Sequence, residues 1–260
     1  MMAGRVEIND ETFTILNSLD GQWMRSVRDA NGKLTGFTIT KSDKAKLLEA
    51  INIYHSFMPY CPPGALTASY DYTAEQMAAG NVAFLPTQWA ELWTWCHQVE
   101  DNVPGADLGC APVVGNRPYF GCFYNAVVKG SDNEEAAYWF TRYLGSYECQ
   151  MDAGIAGWNS NRLDVVNQFD KFTGKEFEGT LLNPETGRVY LASWENQYPY
   201  MDDVMNWNSS AAGKIYEQQI VLLHNSAAGE TTPEQCVDAL TKMHLDFQGR
   251  FGNVPITEEK

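Results

Sequence analysis

The stretch from Trp23 to Pro59 constrains the fold more than any other. Two β-prone runs, Trp23 to Val27 and Leu34 to Ile39, flank Asp29-Ala30-Asn31-Gly32-Lys33. Asn-Gly between such runs is a strong hairpin signal, because both residues enter the left-handed backbone region at little cost. Ser42 and Asp43 then offer an N-cap, and Leu47, Leu48, Ile51, Tyr54 and Phe57/Met58 recur at helical spacing until Pro59 intervenes. A hairpin feeding a long amphipathic helix commits the chain to mixed α and β structure.

The rest of the first 145 residues keeps that mixture. The sequence alternates briefly around Phe13 and Ile15, predicts a polar helix over Tyr72 to Ala79, a short buried strand over Val82 to Leu85, and a helix from about Gln88 to Val99. Cys110 to Val114 and Cys122 to Val128 are β-prone, and Ser131-Asp132-Asn133-Glu134 caps a helix carrying Ala136, Ala137, Phe140 and Leu144, with Trp139 at core spacing. Past Tyr147 the pattern turns helical, near Ser146 to Ala153, Asn161 to Phe169, Pro184 to Glu195, Ala211 to Ala227 and Pro233 to Phe247. The last starts cleanly, with Thr232 as N-cap and Pro233 in the first turn.

Charge excludes one class of partner. Lys and Arg total 18 against 33 Asp and Glu, a formal charge of -15, which repels phosphate backbones. Nucleic acid is not an expected partner. No apolar run approaches the roughly 20 residues that cross a bilayer, and Met1 to Val6 has neither the basic nor the apolar region of a signal peptide. Six cysteines lack the paired short spacings of zinc ribbons or redox motifs, and both the dinucleotide glycine pattern and the P-loop are missing. The expectation is therefore no bound metal and no cofactor, with structural thiols and one disulfide at most.

Four stretches in order resemble the extracellular solute-binding proteins of family 1, the substrate-binding proteins of sugar ABC transporters. Asn17-Ser18-Leu19-Asp20-Gly21 and then Asp29-Ala30-Asn31-Gly32-Lys33 resemble the small-residue turn and D-x-G-K hairpin before the family's long helix, here Lys44 to Met58. Met77-Ala78-Ala79-Gly80-Asn81-Val82-Ala83-Phe84 followed by Trp89 resembles F-x-x-G-K-A-A-M and its downstream Trp. Ala111-Pro112, Pro118-Tyr119-Phe120-Gly121, Lys129 to Ala137 and Tyr143 to Gln150 resemble P-x-P, G-G, I-x-K-x-S-K-N-x-E-A-A and F-L-x-S-x-E-x-Q. Gly157-Trp158-Asn159-Ser160-Asn161-Arg162 resembles G-x-x-P-x-R, with Ser160 in place of proline, and Gly229 to Leu240 resembles G-x-x-S-P-E-E-A-L.

The resemblance implies an α/β chain with the type II periplasmic-binding-protein fold, mostly the C-terminal lobe with a segment of the N-terminal lobe and a helix-rich second half. Residues 1–108 would be the α/β part of the C-lobe, 109–157 the return segment of the N-lobe, and 158–260 the helical part of the C-lobe. A missing N-terminal half would complete it, as part of a longer protein or as a partner chain. The implied activity is binding of a sugar or sugar alcohol in the periplasm or outside the cell, with ABC permease subunits as partners and no chemistry on the ligand.

Sugars present apolar CH faces and rings of hydroxyls, so their sites combine aromatic platforms with fixed hydrogen-bonding groups. The chain is 13% aromatic, with eight Trp, several beside polar residues. By the resemblance Trp89 stacks on a ring, Arg162 forks two hydroxyls or a carboxylate, and Asp20, Gln88, Tyr119 and Asn159 hydrogen-bond from the cleft walls. Phe120, Gly121, Trp158 and Tyr198 complete the expected ligand-binding set. Two other readings stay open: a glycoside-active enzyme using a carboxylate pair drawn from Glu91, Glu195, Asp202 and Asp203, and a truncated interaction piece that binds nothing.

Overall fold

A computed structural model describes residues 8–86, 92–118, 125–197 and 210–259. The first element is a helix, α1 (Ile8–Ser18), where the alternation around Phe13 and Ile15 had left the period ambiguous. Its residues Ile8 to Asn17 are all buried, polar ones included, so no solvent face exists to print a helical period on the sequence. Hydrogen bonds take up part of that polarity, with Tyr216 Oη 3.4 Å from both Asp10 oxygens.

The hairpin forms as expected, β1 (Arg25–Arg28) antiparallel to β2 (Leu34–Ile39) with an irregularity at Val27/Arg28. Gly32 takes φ 77° in the turn, where Gly32 N–H donates to Asp29 O at 2.9 Å. Helix α2 (Lys41–Phe57) begins two to three residues earlier than Ser42 and Asp43 suggested, because Thr40 is the cap. Its hydroxyl accepts from Asp43 N at 3.0 Å. Asp43, fully buried, is instead committed to Arg25, whose Nε and Nη2 reach its two oxygens at 2.6 and 2.7 Å. Burial alone would raise this carboxyl, but the Arg25 hydrogen bonds and the Thr40 and Gln22 donors hold it below the usual carboxylate range.

Two late helices close the main core. α10 (Ala212–Ala227) and α11 (Pro233–Phe251) pack on α1 and α2, and α11 begins with a full capping box between Thr232 and Gln235. Leu16, Ile39, Leu47, Leu223 and Leu240 meet in this core, each almost wholly removed from water. Burying such a side chain stabilises by about 1.5–3 kcal/mol. After α11 the chain adds an unexpected third strand, β3 (Ile256–Glu258), parallel to β2, giving the order β1-β2-β3.

A smaller cluster gathers Ala74 and Met77 of α3 (Tyr70–Ala78), Val82, Leu92, and Cys96 of α4 (Trp93–Cys96), next to α5 (Val99–Asn102). The predicted strand over Val82 to Leu85 is irregular: Val82 is buried, but Phe84 points to solvent. Cys110 to Val113 and 125–128 are likewise not strands, and Val114–Asn116 is a 3-10 turn. Nothing pairs with these runs among the described residues, and a β-prone run without a partner has no ladder to join.

Helices α6 (Glu134–Leu144) and α7 (Tyr147–Ile155) form as predicted, but from residue 100 to 153 no described residue is buried. Trp139, expected in a core, is 60% exposed, and so is Phe140. The region expected to be one helix from Asn161 to Phe169 is shorter, α8 (Leu163–Val166) with a 3-10 turn Phe169–Lys171. Helix α9 (Pro184–Gln197) completes the chain before residue 198. The described cysteines, Cys61, Cys96, Cys110, Cys149 and Cys236, are all free thiols.

Candidate functional site

Of the expected ligand-binding residues, Gln88, Trp89, Tyr119, Phe120, Gly121 and Tyr198 lie outside the described residues. Asp20, Trp158, Asn159 and Arg162 lie within them, on two separate turns.

The first turn ends α1. Leu19, Asp20 and Gly21 fold back by hydrogen bonds from Asp20 N to Asn17 O at 3.0 Å and from Gly21 N to Leu16 O at 2.9 Å. A Cβ at Gly21 would overlap the Leu16 side chain, so a small residue is required there. Asp20 takes φ 61°, a left-handed conformation that aspartate tolerates better than most residues, and it extends its carboxylate into solvent. Arg117 pairs with that carboxylate, and Lys46 Nζ donates to Asp20 O at 2.5 Å. The Arg117 hydrogen bond and charge hold the Asp20 carboxyl below its ordinary range. Two cations and a carboxylate therefore sit together at an exposed turn, with donors and an acceptor suited to hydroxyl groups.

The second turn ends α7. Gly157 N–H donates to Gly154 O at 3.1 Å and Trp158 N–H to Ala153 O at 2.9 Å, with Gly157 at φ 92°, the paired bonds of a Schellman terminus. Thr94 Oγ1 lies 2.9 Å from Gly157 O and 2.6 Å from Gly179 O, so α4 holds this turn and a neighbouring one together. Trp158 then stands on a fixed backbone with 66% of its surface exposed. An indole presented in this way is an apolar platform that no described contact consumes.

Past Trp158 the loop is clamped by Gln150, which sequence reasoning did not single out. Its Oε1 accepts from Asn161 N at 2.7 Å and from Ser160 Oγ at 3.2 Å, while its Nε2 donates to Leu144 O at 2.7 Å. Ser160, at the position where the family pattern has proline, is buried and serves this clamp. Arg162 engages its fork on Asp164, Nε to Oδ1 at 2.9 Å and Nη2 to Oδ2 at 2.7 Å, and its Nη1 reaches Gly145 O at 3.0 Å. These bonds raise its own pKa and lower that of Asp164. In this arrangement Arg162 ties the start of α8 to the end of α6.

Other residues the sequence left unmarked matter here. Lys46 and Arg117 flank Asp20 from α2 and from beyond the 114–116 turn, and such long-range neighbours leave no spacing signal. The concave surface of α2 lined by Ala45, Leu48, Glu49, Asn52, Ile53 and Ser56 includes none of the expected residues.

No protein-family model and no curated protein sequence matches the chain. Solved structures do. MalE3 of T. maritima with maltose bound matches 93% of this chain and 58% of its own, with a TM-score of 0.61 at 17% identity. A candidate oligosaccharide periplasmic-binding protein of Synechococcus sp. MITs9220, solved in complex with zinc, matches 96% of this chain and 61% of its own, with a TM-score of 0.55 at 14% identity. The chain thus spans about three fifths of the length of these structures. Its hairpin, its helix-rich second half and these matches together give it, in part, the type II periplasmic-binding-protein fold.

Proposed function

We propose that the chain is the C-terminal part of the carbohydrate-binding subunit of a bacterial ABC sugar importer, acting in the periplasm or outside the cell. It binds a sugar or sugar alcohol between two lobes and presents the closed form to permease subunits. The observation that carries this reading is Trp158, an exposed indole on a Schellman terminus braced by Thr94, in a chain with the fold of a maltose-bound protein. The stretch from 100 to 153, in which no described residue is buried, supports the two-lobed form, with residues 109–157 as the piece of N-lobe and 1–108 and 158–260 as the C-lobe. Asn159 and Arg162 then supply polar contacts from the loop after the platform, Asp20 contributes from its own turn, and Gln88, Trp89, Tyr119, Phe120, Gly121 and Tyr198 complete the proposed ligand-binding set.

The test is calorimetric titration of a panel of sugars into the chain assembled with an N-terminal lobe, for the parent and Trp158→Ala. Loss of one stacked apolar face is worth about 1–3 kcal/mol, so affinity should fall roughly 5- to 150-fold. Because Trp158 is exposed, melting should hardly change. A mutant that binds the parent's sugar unchanged overturns the platform, absence of any heat across the panel overturns sugar binding, and consumption of sugar over time indicates an enzyme.

A further inference from the structure

Three side chains outside that site converge although their sequence spacing gave no sign of it. His97 Nε2 stands 3.5 Å from Glu100 Oε1 across one helical step. Glu178, from a turn remote in sequence, brings its carboxylate to the same point, so that one ligand atom from each of the three lies within 4.8 Å of the others. Around a tetrahedral ion with bonds of about 2.0–2.1 Å, ligand atoms lie about 3.4 Å apart. The His97–Glu100 pair is already at that separation, and rotation of the exposed Glu178 closes the rest.

The three are held by contacts that fix their backbones and leave ligand atoms available. The His97 ring packs edge-on against Trp93 at 5.6 Å, and Trp93 Nε1 donates to Glu178 O at 3.1 Å. The Thr94 hydroxyl lies 2.6 Å from the next carbonyl, Gly179 O, while Glu100 Oε1 accepts from Leu108 N at 2.9 Å. Neighbouring groups that hold a ligand's backbone or carboxylate in this way are what metal sites use to orient their ligands. Two glutamates meet here, and among the described residues no Lys or Arg pairs with either. An ordinary surface ion pair would account for His97 and Glu100 but not for the second carboxylate brought to them by a remote turn.

We propose that His97, Glu100 and Glu178 form a site for one divalent transition-metal ion of the Zn2+ type. One imidazole nitrogen and two carboxylate oxygens suit zinc better than the hard cation Mg2+, and leave a fourth position for water. The ion bridges α4 and α5 to the 178–179 turn, and so braces from below the same Thr94 hub that holds Gly157.

The experiment titrates ZnCl2, and separately MgCl2, into chelator-treated protein by calorimetry, with melting recorded with and without zinc. The parent should take up one Zn2+ per chain with a rise in melting temperature, and MgCl2 should give no heat. Loss of an outer-sphere partner alone weakens metal binding by about 10- to 100-fold, so removing a ligand by His97→Ala or Glu178→Gln should weaken it by at least that much and abolish the melting rise. His224→Ala, on α10, should behave as the parent. Glu178→Gln changes an exposed side chain and keeps the fold, so it decides the matter if His97→Ala melts early. No zinc uptake by the parent, or parental affinity in Glu178→Gln, overturns the site.

Discussion

Single residues carry the clearest solution signature of this fold. His244 is fully buried, with Nε2 3.1 Å from Gln219 Nε2 and its ring edge-on to Trp23 at 5.9 Å. Burial without a counter-charge pushes its pKa down to about 3. The unfolded chain binds a proton here near the ordinary value of about 6.5, while the folded chain does so only near 3, so the unfolded state holds more protons between those values. The His244 contribution is therefore fully present above about pH 6.5 and is lost progressively as pH falls towards 3. At pH 5 the loss is about 2 kcal/mol, from about 1.4 kcal/mol per pH unit. Urea midpoints measured from pH 7.5 to 4.5 should fall in the parent and fall less steeply in His244→Phe. Parallel profiles would mean that His244 keeps its proton when folded. Nothing local in the sequence marks His244 as buried, because only the packing of α11 on α2 and α10 shows which face turns inward.

Elements were legible where their signals were local. The hairpin, α2 and α11 were written in an Asn-Gly turn, a helical period and a Thr-Pro-Glu-Gln start, each within a few residues. α1 was not, since every side of it is buried and the apolar period is erased. β3 was not either, because a three-residue strand is defined by β2 rather than by its own composition. The end of α7 falls between these cases: the glycine was visible, its partner Thr94 was not. Gly157→Ala places a Cβ in the left-handed region and against Thr94 Oγ1, and should cost about 1–2 kcal/mol from backbone strain alone. Denaturant unfolding should show that loss, relieved in part by Thr94→Ser, which removes the methyl group that the new Cβ also meets. An unchanged midpoint in Gly157→Ala would mean that the turn does not take this conformation.

At the scale of the molecule, one helix joins no core among the described residues. α6 turns Tyr138, Trp139, Phe140 and Tyr143 outward, all roughly half exposed or more. Its strong amphipathic pattern correctly gave a helix, but the same pattern placed Trp139 in a core, because a sequence records that a face is apolar and not what covers it. The residues proposed for the site meet the same limit: Trp158 and Asp20 are picked out by motif resemblance, while the groups that fix them, Thr94, Gln150, Lys46 and Arg117, come from distant segments. The double substitution Trp139→Ser/Phe140→Ser tests the open face. In the chain alone it should change the unfolding free energy by no more than about 0.5 kcal/mol, as exposed positions do. With an N-terminal lobe present, the same change should abolish association, measured by sedimentation. A loss of about 3–5 kcal/mol in the chain alone would show that these rings are already core.

The parallel pairing of β2 with β3 has a consequence for synthesis. Thr257 Oγ1 donates to Phe37 O at a sequence separation of 220, and Lys44 meets Glu258 at 2.9 Å. Contacts so remote along the chain raise contact order and delay folding until both partners exist. The hairpin and α2 leave the ribosome before α10, α11 and β3, which cover them. At a synthesis rate of about 5–20 residues per second, the open hairpin waits for on the order of ten seconds or more with its edge unpaired. That edge is a place where a nascent chain of this kind can pair wrongly and where a chaperone would shield it.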